Sequence, residues 1–300
     1  MPAAKSPRLL LFGSSNTDLV VVCQRLPEPG ETLLGGDFHR TAGGKGANQA
    51  VAAARAGARV IFVGARGDDD FGTFAAEGLR REKIDIRHFQ IHKGVPSGIA
   101  LILVGGESRE NVIAVAHSAN DLLSETSVQA VAAEFAKSDA VVTQLEIPMR
   151  AVKAAAKFAH EARKSLVLNP APARPLPKSL LRLVHTITPN EHEAAILTGE
   201  HDPERAGQKL VEAGCRNAVV TLGAKGALLV NASGATRFPA AKVKPVDTVG
   251  AGDCFTGWLA TGIAEDLSMP DAITRAIRAA GIAITRPGAQ DAMPRRDEIC

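Results

Sequence analysis

Tyrosine is absent from the 300 residues, tryptophan occurs once, and aromatics make up only 4% of the chain. That speaks against the stacking platforms that hold single-stranded nucleic acid. Net charge is only +3 and no stretch concentrates Lys and Arg, so no basic nucleic-acid surface is expected. The four cysteines, Cys23, Cys215, Cys254 and Cys300, are scattered, with no CxxC pair and no Cys/His cluster. Such spacing supports neither a zinc centre nor a disulfide framework. No apolar run reaches the ~18 residues of a membrane span. The stretch Met1–Pro7 lacks the apolar core and cleavage site of a secretory leader. A cytoplasmic chain with no membrane partner is the expectation. No GxGxxG follows a strand pattern, which speaks against a dinucleotide-binding oxidoreductase.

What is present is ordinary globular material. The chain is 45% hydrophobic and 22% charged, and its length suits one large α/β domain or two smaller ones. Short apolar runs, Arg8–Phe12, Leu19–Val22, Val60–Val63, Ala140–Gln144, Ser165–Leu168, His185–Ile187 and Ala218–Thr221, read as strands. From Ala140 onward they alternate with helical patterns, Met149–Arg163 and Glu191–Leu197 among them. That alternation predicts a doubly wound, mostly parallel sheet flanked by helices. Ser97–Val104 and Asn111–Ala116 read as a hairpin, and with Thr32–Thr41 they predict a small sheet outside the main one. Leu228–Pro239 also reads as hairpin, and Met269–Thr285 as the final helix. Asp68, Asp69 and Asp70 look like a metal cluster but precede a helical pattern, Phe71–Glu82, which they suit as cap and dipole partners.

Polar segments close the strands, and ligands in open α/β sheets gather at that edge. Gly13–Asp18 reads as one such loop, and Leu145–Glu146, Asn169–Pro172, Thr188–Asn190 and Leu222–Gly226 as others. Thr41–Gln49 is a glycine loop opening a helix. Lys45 is followed by Gly46 instead of Ser or Thr, and the leading glycine is absent, so it is no Walker A loop. It is either a close-packed helix start or a loop whose amides, Lys45 and Asn48 bind a polyhydroxylated ligand.

The second glycine loop, Asp247–Asp253, has a strand pattern entering it and a helix pattern, Asp253 to about Asp266, leaving it. The first turn of a helix offers free N–H groups and the positive end of the dipole to a phosphate. An Asp in that turn is either the helix cap or a base that takes a proton from a hydroxyl as it attacks phosphorus. Cys254 beside it reads as packing.

Taken together, Gly13–Asp18, Pro29–Thr32, Gly43–Ala50, Asn169–Ala173, Thr188–Glu191, Thr221–Gly223, Asp247–Asp253 and Thr285–Gln290 resemble the ribokinase-type carbohydrate kinases in order, over nearly the whole chain. The resemblance implies a single domain, 1–300, with a lid built from about 14–41 and 95–117. It implies an ATP-dependent kinase acting on the primary 5-hydroxyl of D-ribose, with deoxyribose, fructose or a nucleoside as other substrates. A non-catalytic sugar- or nucleotide-binding protein is the reading from another class.

By the same resemblance Asp253 is the base, and Gly250, Ala251 and Gly252 form the anion hole. Asn16, Asp18, Gly44, Lys45, Asn48 and Glu146 match sugar-contacting positions. Asn190, Thr221, Leu222, Gly223, Ala224, Lys225, Gly226 and Gly252 match the ATP segment. Glu193 matches an acid linked to Mg2+, although it also suits a helix start. Asp247, Val249, Ala283, Arg286 and Gly288 match loops that take K+ or a similar cation, mostly through backbone carbonyls. Ala292 and Ile277 depart from the usual residues beside the cation and the adenine, and the end at Cys300 shortens the usual last helix. A homodimer through the lid is implied.

Overall fold

The computed structural model describes residues 6–106 and 110–299; Cys300 and most of the Met1–Pro7 stretch, residues 1–5, lie outside them. The chain opens with β1 (Arg8–Phe12), β2 (Asn16–Cys23), β3 (Asp37–Gly43), α1 (Lys45–Arg55) and β4 (Arg59–Gly67). Next come α2 (Asp70–Arg81), β5 (Asp85–His92), β6 (Gly98–Gly105), β7 (Glu110–Ala116), α3 (Glu125–Gln129) and α4 (Ala132–Lys137). Regular alternation follows with β8 (Ala140–Thr143), α5 (Met149–Glu161), β9 (Ser165–Leu168), α6 (Lys178–Leu181), β10 (Thr186–Ile187), α7 (Glu191–Thr198) and α8 (Pro203–Glu212). The chain closes with β11 (Asn217–Thr221), β12 (Ala227–Asn231), β13 (Gly234–Phe238), α9 (Ala251–Ala264) and α10 (Met269–Ala283).

Nine strands form one sheet in the order β13-β12-β11-β10-β9-β8-β1-β4-β5. Pairing is parallel from β11 to β5, and only the β11-β12-β13 end is antiparallel. β1 therefore lies between β4 and β8, where the connections part to either side, the usual place for a ligand cleft. Both faces of the central strands are covered, which is why they read as unbroken apolar runs. Leu9 and Leu11 join Val51, Trp258, Leu259 and Ile273 on one face. Leu10 and Phe12 join Phe135, Val152 and Leu210 on the other. Each such fully buried side chain is worth roughly 1.5–3 kcal/mol.

The second sheet has four strands, β3-β2-β6-β7. Its outer strand β7 is exposed at every residue. The hairpin of β6 with β7 matches the sequence expectation, with Leu101 opposite Ala114 and Leu103 opposite Val112.

Two expectations need correction, and two elements are new. Asn16–Asp18 belongs to β2 and not to a loop, because Asn16 pairs with both Gly43 and Gly98. No strand enters Asp247: residues 239–250 form no ladder, since Pro239 and Pro245 have no N–H to give one. β5 and α8 had no counterpart in the sequence reading, although Asp202 caps α8 and Pro203 starts it. Asp69 is the cap expected of the acid triplet, with Oδ1 accepting from Gly72 N–H at 2.8 Å and from Ser97 Oγ at 2.6 Å.

Candidate active site

Two helix starts meet at the carboxyl edge of the main sheet. α1 follows the Gly43–Gly44 turn, in which Gly44 takes φ 87° and a Cβ would lie 2.7 Å from the Asn16 nitrogen. Only glycine fits so close an approach at positive φ. α9 follows Gly250, which takes φ 74° as its N-cap. The helices pack closely enough for α1 side chains to reach the first turn of α9. Asn48 Nδ2 donates to Asp253 Oδ2 at 3.0 Å, and Gln49 Nε2 donates to Asp253 Oδ1 at 2.9 Å.

Asp253 is only 7% exposed, so it is not a solvated helix cap. Its side chain accepts from α1, and Gly250 has no side-chain cap. In the turn itself the Ala251 N–H donates to the Thr248 carbonyl at 3.3 Å. The Gly252 and Asp253 N–H groups have no protein acceptor among the described residues. A Cβ on Gly252 would meet nothing within 4 Å. Two free amides, a bare glycine and a buried carboxylate thus face the same space.

That space is a polar cavity of about 220 Å³. Lys45, Asn190, Glu193, Thr248 and the Gly250–Asp253 turn line it. An apolar cavity of about 510 Å³ adjoins it, sharing Thr221, Thr248, Ala251 and Gly252. Its walls include Val243, Pro245, Phe255, Ile277 and Ile284. The pair suits a ligand with a charged end and a flat apolar end. Of the predicted nucleotide residues, Thr221, Gly223, Ala224, Gly226 and Gly252 border the larger cavity and Asn190 the smaller. Leu222 and Lys225 border neither; Leu222 is 3% exposed and its N–H closes the turn onto the Gly226 carbonyl.

The predicted sugar-side residues converge beside Lys45. Glu146 Oε2 accepts from Ser14 Oγ at 2.6 Å and from the Lys45 N–H at 3.0 Å, anchoring the start of α1. The Asp18 carboxylate lies against bare Gly43, where a Cβ would sit 2.2 Å from it. Asn120 Nδ2 donates to Asn16 Oδ1 at 2.9 Å, which leaves the Asn16 amide N–H groups for a ligand. Burial, then the nearby Glu146 and Asp253 charges, push the Asp18 carboxyl up to about 6. Burial also pushes Asp253 above the usual carboxylate range, opposed by Lys45, Asn48 and Gln49. Lys45 is pushed up in turn, most strongly by Asp253 and against its own burial.

Glu193 and Asn190 form a reciprocal capping box at the start of α7: Asn190 N–H donates to Glu193 Oε2 at 2.9 Å, and Glu193 N–H to Asn190 Oδ1 at 2.8 Å. The helix-start role is therefore real, yet both residues also line the polar cavity. Asp247 ties two loops together, accepting from Val249 N–H at 3.0 Å and Gly288 N–H at 2.9 Å. The Arg286 N–H donates to the Ala283 carbonyl at 3.1 Å, while its guanidinium pairs with Glu298. Ala292 is buried, at 1% exposure. Among the described residues, no group of three or more His, Cys, Asp or Glu could hold a metal ion. Any cation here would rest on backbone carbonyls, water or a bound phosphate.

Sequence reasoning gave no role to Gln49, Asn120, Gln144, Asn169 or Gln290. Each is a polar side chain that matters through a partner distant in sequence: Asn120 lies 104 residues from Asn16, and Gln290 lies 242 from Asn48.

Comparison with known proteins shows the family. The pfkB family carbohydrate kinase profile matches residues 6–296. A ribokinase of Haemophilus influenzae is 40% identical over 296 residues, covering 97% of this chain and 96% of its own. A deoxyribokinase of Salmonella typhi is 35% identical, covering 95% of each chain. The structure of Arabidopsis thaliana ribokinase complexed with ribose and ATP superposes with a TM-score of 0.92 at 29% identity, covering 98% of this chain and 97% of that one. The chain belongs to the pfkB family of carbohydrate kinases. It is a sugar kinase with that family's central sheet and small lid sheet.

Proposed function

We propose that this chain transfers the γ-phosphoryl group of ATP to the primary 5-hydroxyl of D-ribose, giving ribose 5-phosphate and ADP. The observation that carries the proposal is Asp253: a buried carboxylate gripped by two amides, in the same helix turn as two free N–H groups. The sugar lies beside Asn16, Asp18, Gly44, Lys45, Asn48 and Glu146, whose acceptors and donors suit hydroxyls. Asp253 takes the hydroxyl proton as the sugar oxygen bonds to phosphorus. The bond from phosphorus to the β–γ bridging oxygen breaks, and that electron pair leaves with ADP. The Gly252 and Asp253 amides and Lys45 face the charge gathering on the transferred group. The adenine end of ATP takes the apolar cavity beside Ile277.

Magnesium would accompany the ATP phosphates, and Glu193 suits it through water, since its Oε1 has no protein donor among the described residues. Potassium or a similar cation would rest on the carbonyls of the Asp247–Val249 and Ala283–Gly288 loops and steady the α9 turn. The four-stranded sheet acts as a lid over the sugar and as the homodimer contact, in an enzyme of the cytoplasm. Exposed Phe38, Leu101, Val112 and Ile113 on that sheet support the dimer. No helix among the described residues is long and apolar enough to cross a membrane.

Deoxyribose is the second reading, favoured by the similarity to a deoxyribokinase. A coupled assay of ADP release over ribose, deoxyribose, fructose and nucleosides separates the two. Asp253→Asn keeps the shape and removes the base, so kcat is expected to fall by about 10²–10⁴. Near-normal turnover in that variant refutes the assignment. Ribose binding without ATP consumption in the parent would instead favour a non-catalytic binding protein.

A further inference from the structure

We infer that Gln49 is the positioning residue that aims Asp253 and keeps it a proton acceptor, and that a backbone carbonyl dictates which way Gln49 points. This rests on Asp253 being the base.

The direction of each amide in the relay from Asn169 to Gln49 follows from one group that can only accept. The Thr188 carbonyl receives Asn169 Nδ2 at 2.8 Å. Asn169 Oδ1 must then face the other way, where it meets Gln49. That oxygen also only accepts, so Gln49 presents its Nε2 there, at 3.1 Å. The second hydrogen on the same nitrogen reaches Asp253 Oδ1 at 2.9 Å. Gln49 Oε1 is left facing Gln144 Nε2, at 2.7 Å. A flipped Gln49 would set its oxygen against two acceptors. Gln49 is fully buried, so water cannot repair that mismatch. The other arm is different in kind: Gln290 Nε2 donates to Asn48 Oδ1 at 3.0 Å, and the chain stops at a side chain of the closing loop. Only the Gln49 arm is fixed by the main chain.

The charged and titratable groups facing Asp253 show why a neutral donor matters. Lys45 on α1 favours its ionised form, whereas Glu146, after β8, opposes it. Asp18 on β2 and Glu193 on α7, each raised first by burial, are raised further by the Asp253 charge and therefore repel it. The neighbouring Cys254 is buried and stays a neutral thiol. Burial raises Asp253, so the base depends on donors that stay put through the cycle.

The test compares Gln49→Met, which keeps length and removes the donor, with Asn169→Leu, which releases Gln49 without touching the carboxylate. The kcat/KM of each is followed against pH, together with Tm and the Kd for sugar and ATP. A lost hydrogen bond to a carboxylate should move the acid limb of Gln49→Met up by about one to two pH units, a 10–100-fold loss on that limb. The deficit should shrink at alkaline pH, and Asn169→Leu should move the limb the same way by less. A uniform loss of rate with an unmoved limb in both variants overturns the proposal and leaves Gln49 a packing residue. If Gln49→Met does not fold, Asn169→Leu decides on the same criterion, supporting the proposal with a shifted limb and overturning it without one. Asp253→Asn separates the two levels. If it is inactive while the Gln49 limb is unmoved, only the positioning role falls; if it is active, the base assignment falls with it.

Discussion

Gly257 sits one turn beyond Asp253, where α9 crosses α1. A Cβ built there would lie 2.6 Å from the Ala52 Cβ, 2.7 Å from the Gln49 carbonyl oxygen and 3.0 Å from the Ala53 nitrogen. Two of those atoms are backbone and cannot swing aside, so Gly257→Ala must push the helices apart by nearly ~1 Å to reach ordinary contact. Two terms then compete. Alanine in place of glycine favours a helix by about 1 kcal/mol. Overpacking costs about 1–3 kcal/mol, and the upper end applies where the neighbour is a helix backbone buried against a sheet. The net is about 2 kcal/mol of destabilisation. At about 2.1 cal/mol/K per residue, unfolding entropy at this length is roughly 0.6 kcal/mol/K, so Tm should fall by about 3 °C. The larger effect is on turnover. The same displacement lengthens the Asn48 and Gln49 contacts to Asp253 beyond hydrogen-bonding range, and a 1 Å misplacement is worth about 10² in rate. The measurement is a thermal melt without ligand beside kcat for ribose and ATP. Gly78→Ala is the matched control, because its Cβ would meet only the end of Arg81, at 3.8 Å. That variant should gain about 0.5–1 kcal/mol and keep its rate. A Gly257→Ala protein that melts at or above the parent, with kcat within about twofold, would refute the link between helix spacing and the site.

Asp18 provides a pH signature. Its folded pKa of about 6 lies above the ordinary 3.8, so between those values the folded state binds more protons than the unfolded. Stability therefore falls as pH rises through this window. Without ligand, Asp18→Asn should melt higher than the parent near pH 8, show no advantage near ~pH 4, and bind sugar more weakly. A variant that melts lower at alkaline pH would contradict the strained-carboxylate account. On the lid, Ile113 is 52% exposed on β7. Ile113→Lys should shift a dimer to monomer in sedimentation and raise the sugar KM, whereas an unchanged mass would remove this face from the interface.

Two kinds of signal made part of this molecule readable from its residues. The central strands announce themselves because both faces are buried, and Leu9 to Phe12 must be apolar at every position whichever side each faces. The glycine loops announce themselves because Gly44 and Gly250 hold positive φ at helix starts, which few other residues accept. What stayed hidden depends on contacts between distant segments. The Pro239–Val246 stretch alternates like a strand, but prolines deny it a ladder and it becomes a cavity wall. Gln49 stood inside a recognised motif with no role, since nothing local marks an amide whose partners come from the segments just after β8 and β9 and from α9. Its importance rests on a buried carboxylate that burial alone would neutralise. A carboxylate at this helix tip can serve as a base only while donors offset its desolvation. Lys45 supplies a charge that two other acids, Glu146 and Glu193, also feel. The amides supply direction as well as stabilisation, because each donates along a single line set by the next residue in the chain. The carboxylate's orientation therefore traces through Gln49 and Asn169 to the Thr188 carbonyl at the sheet edge.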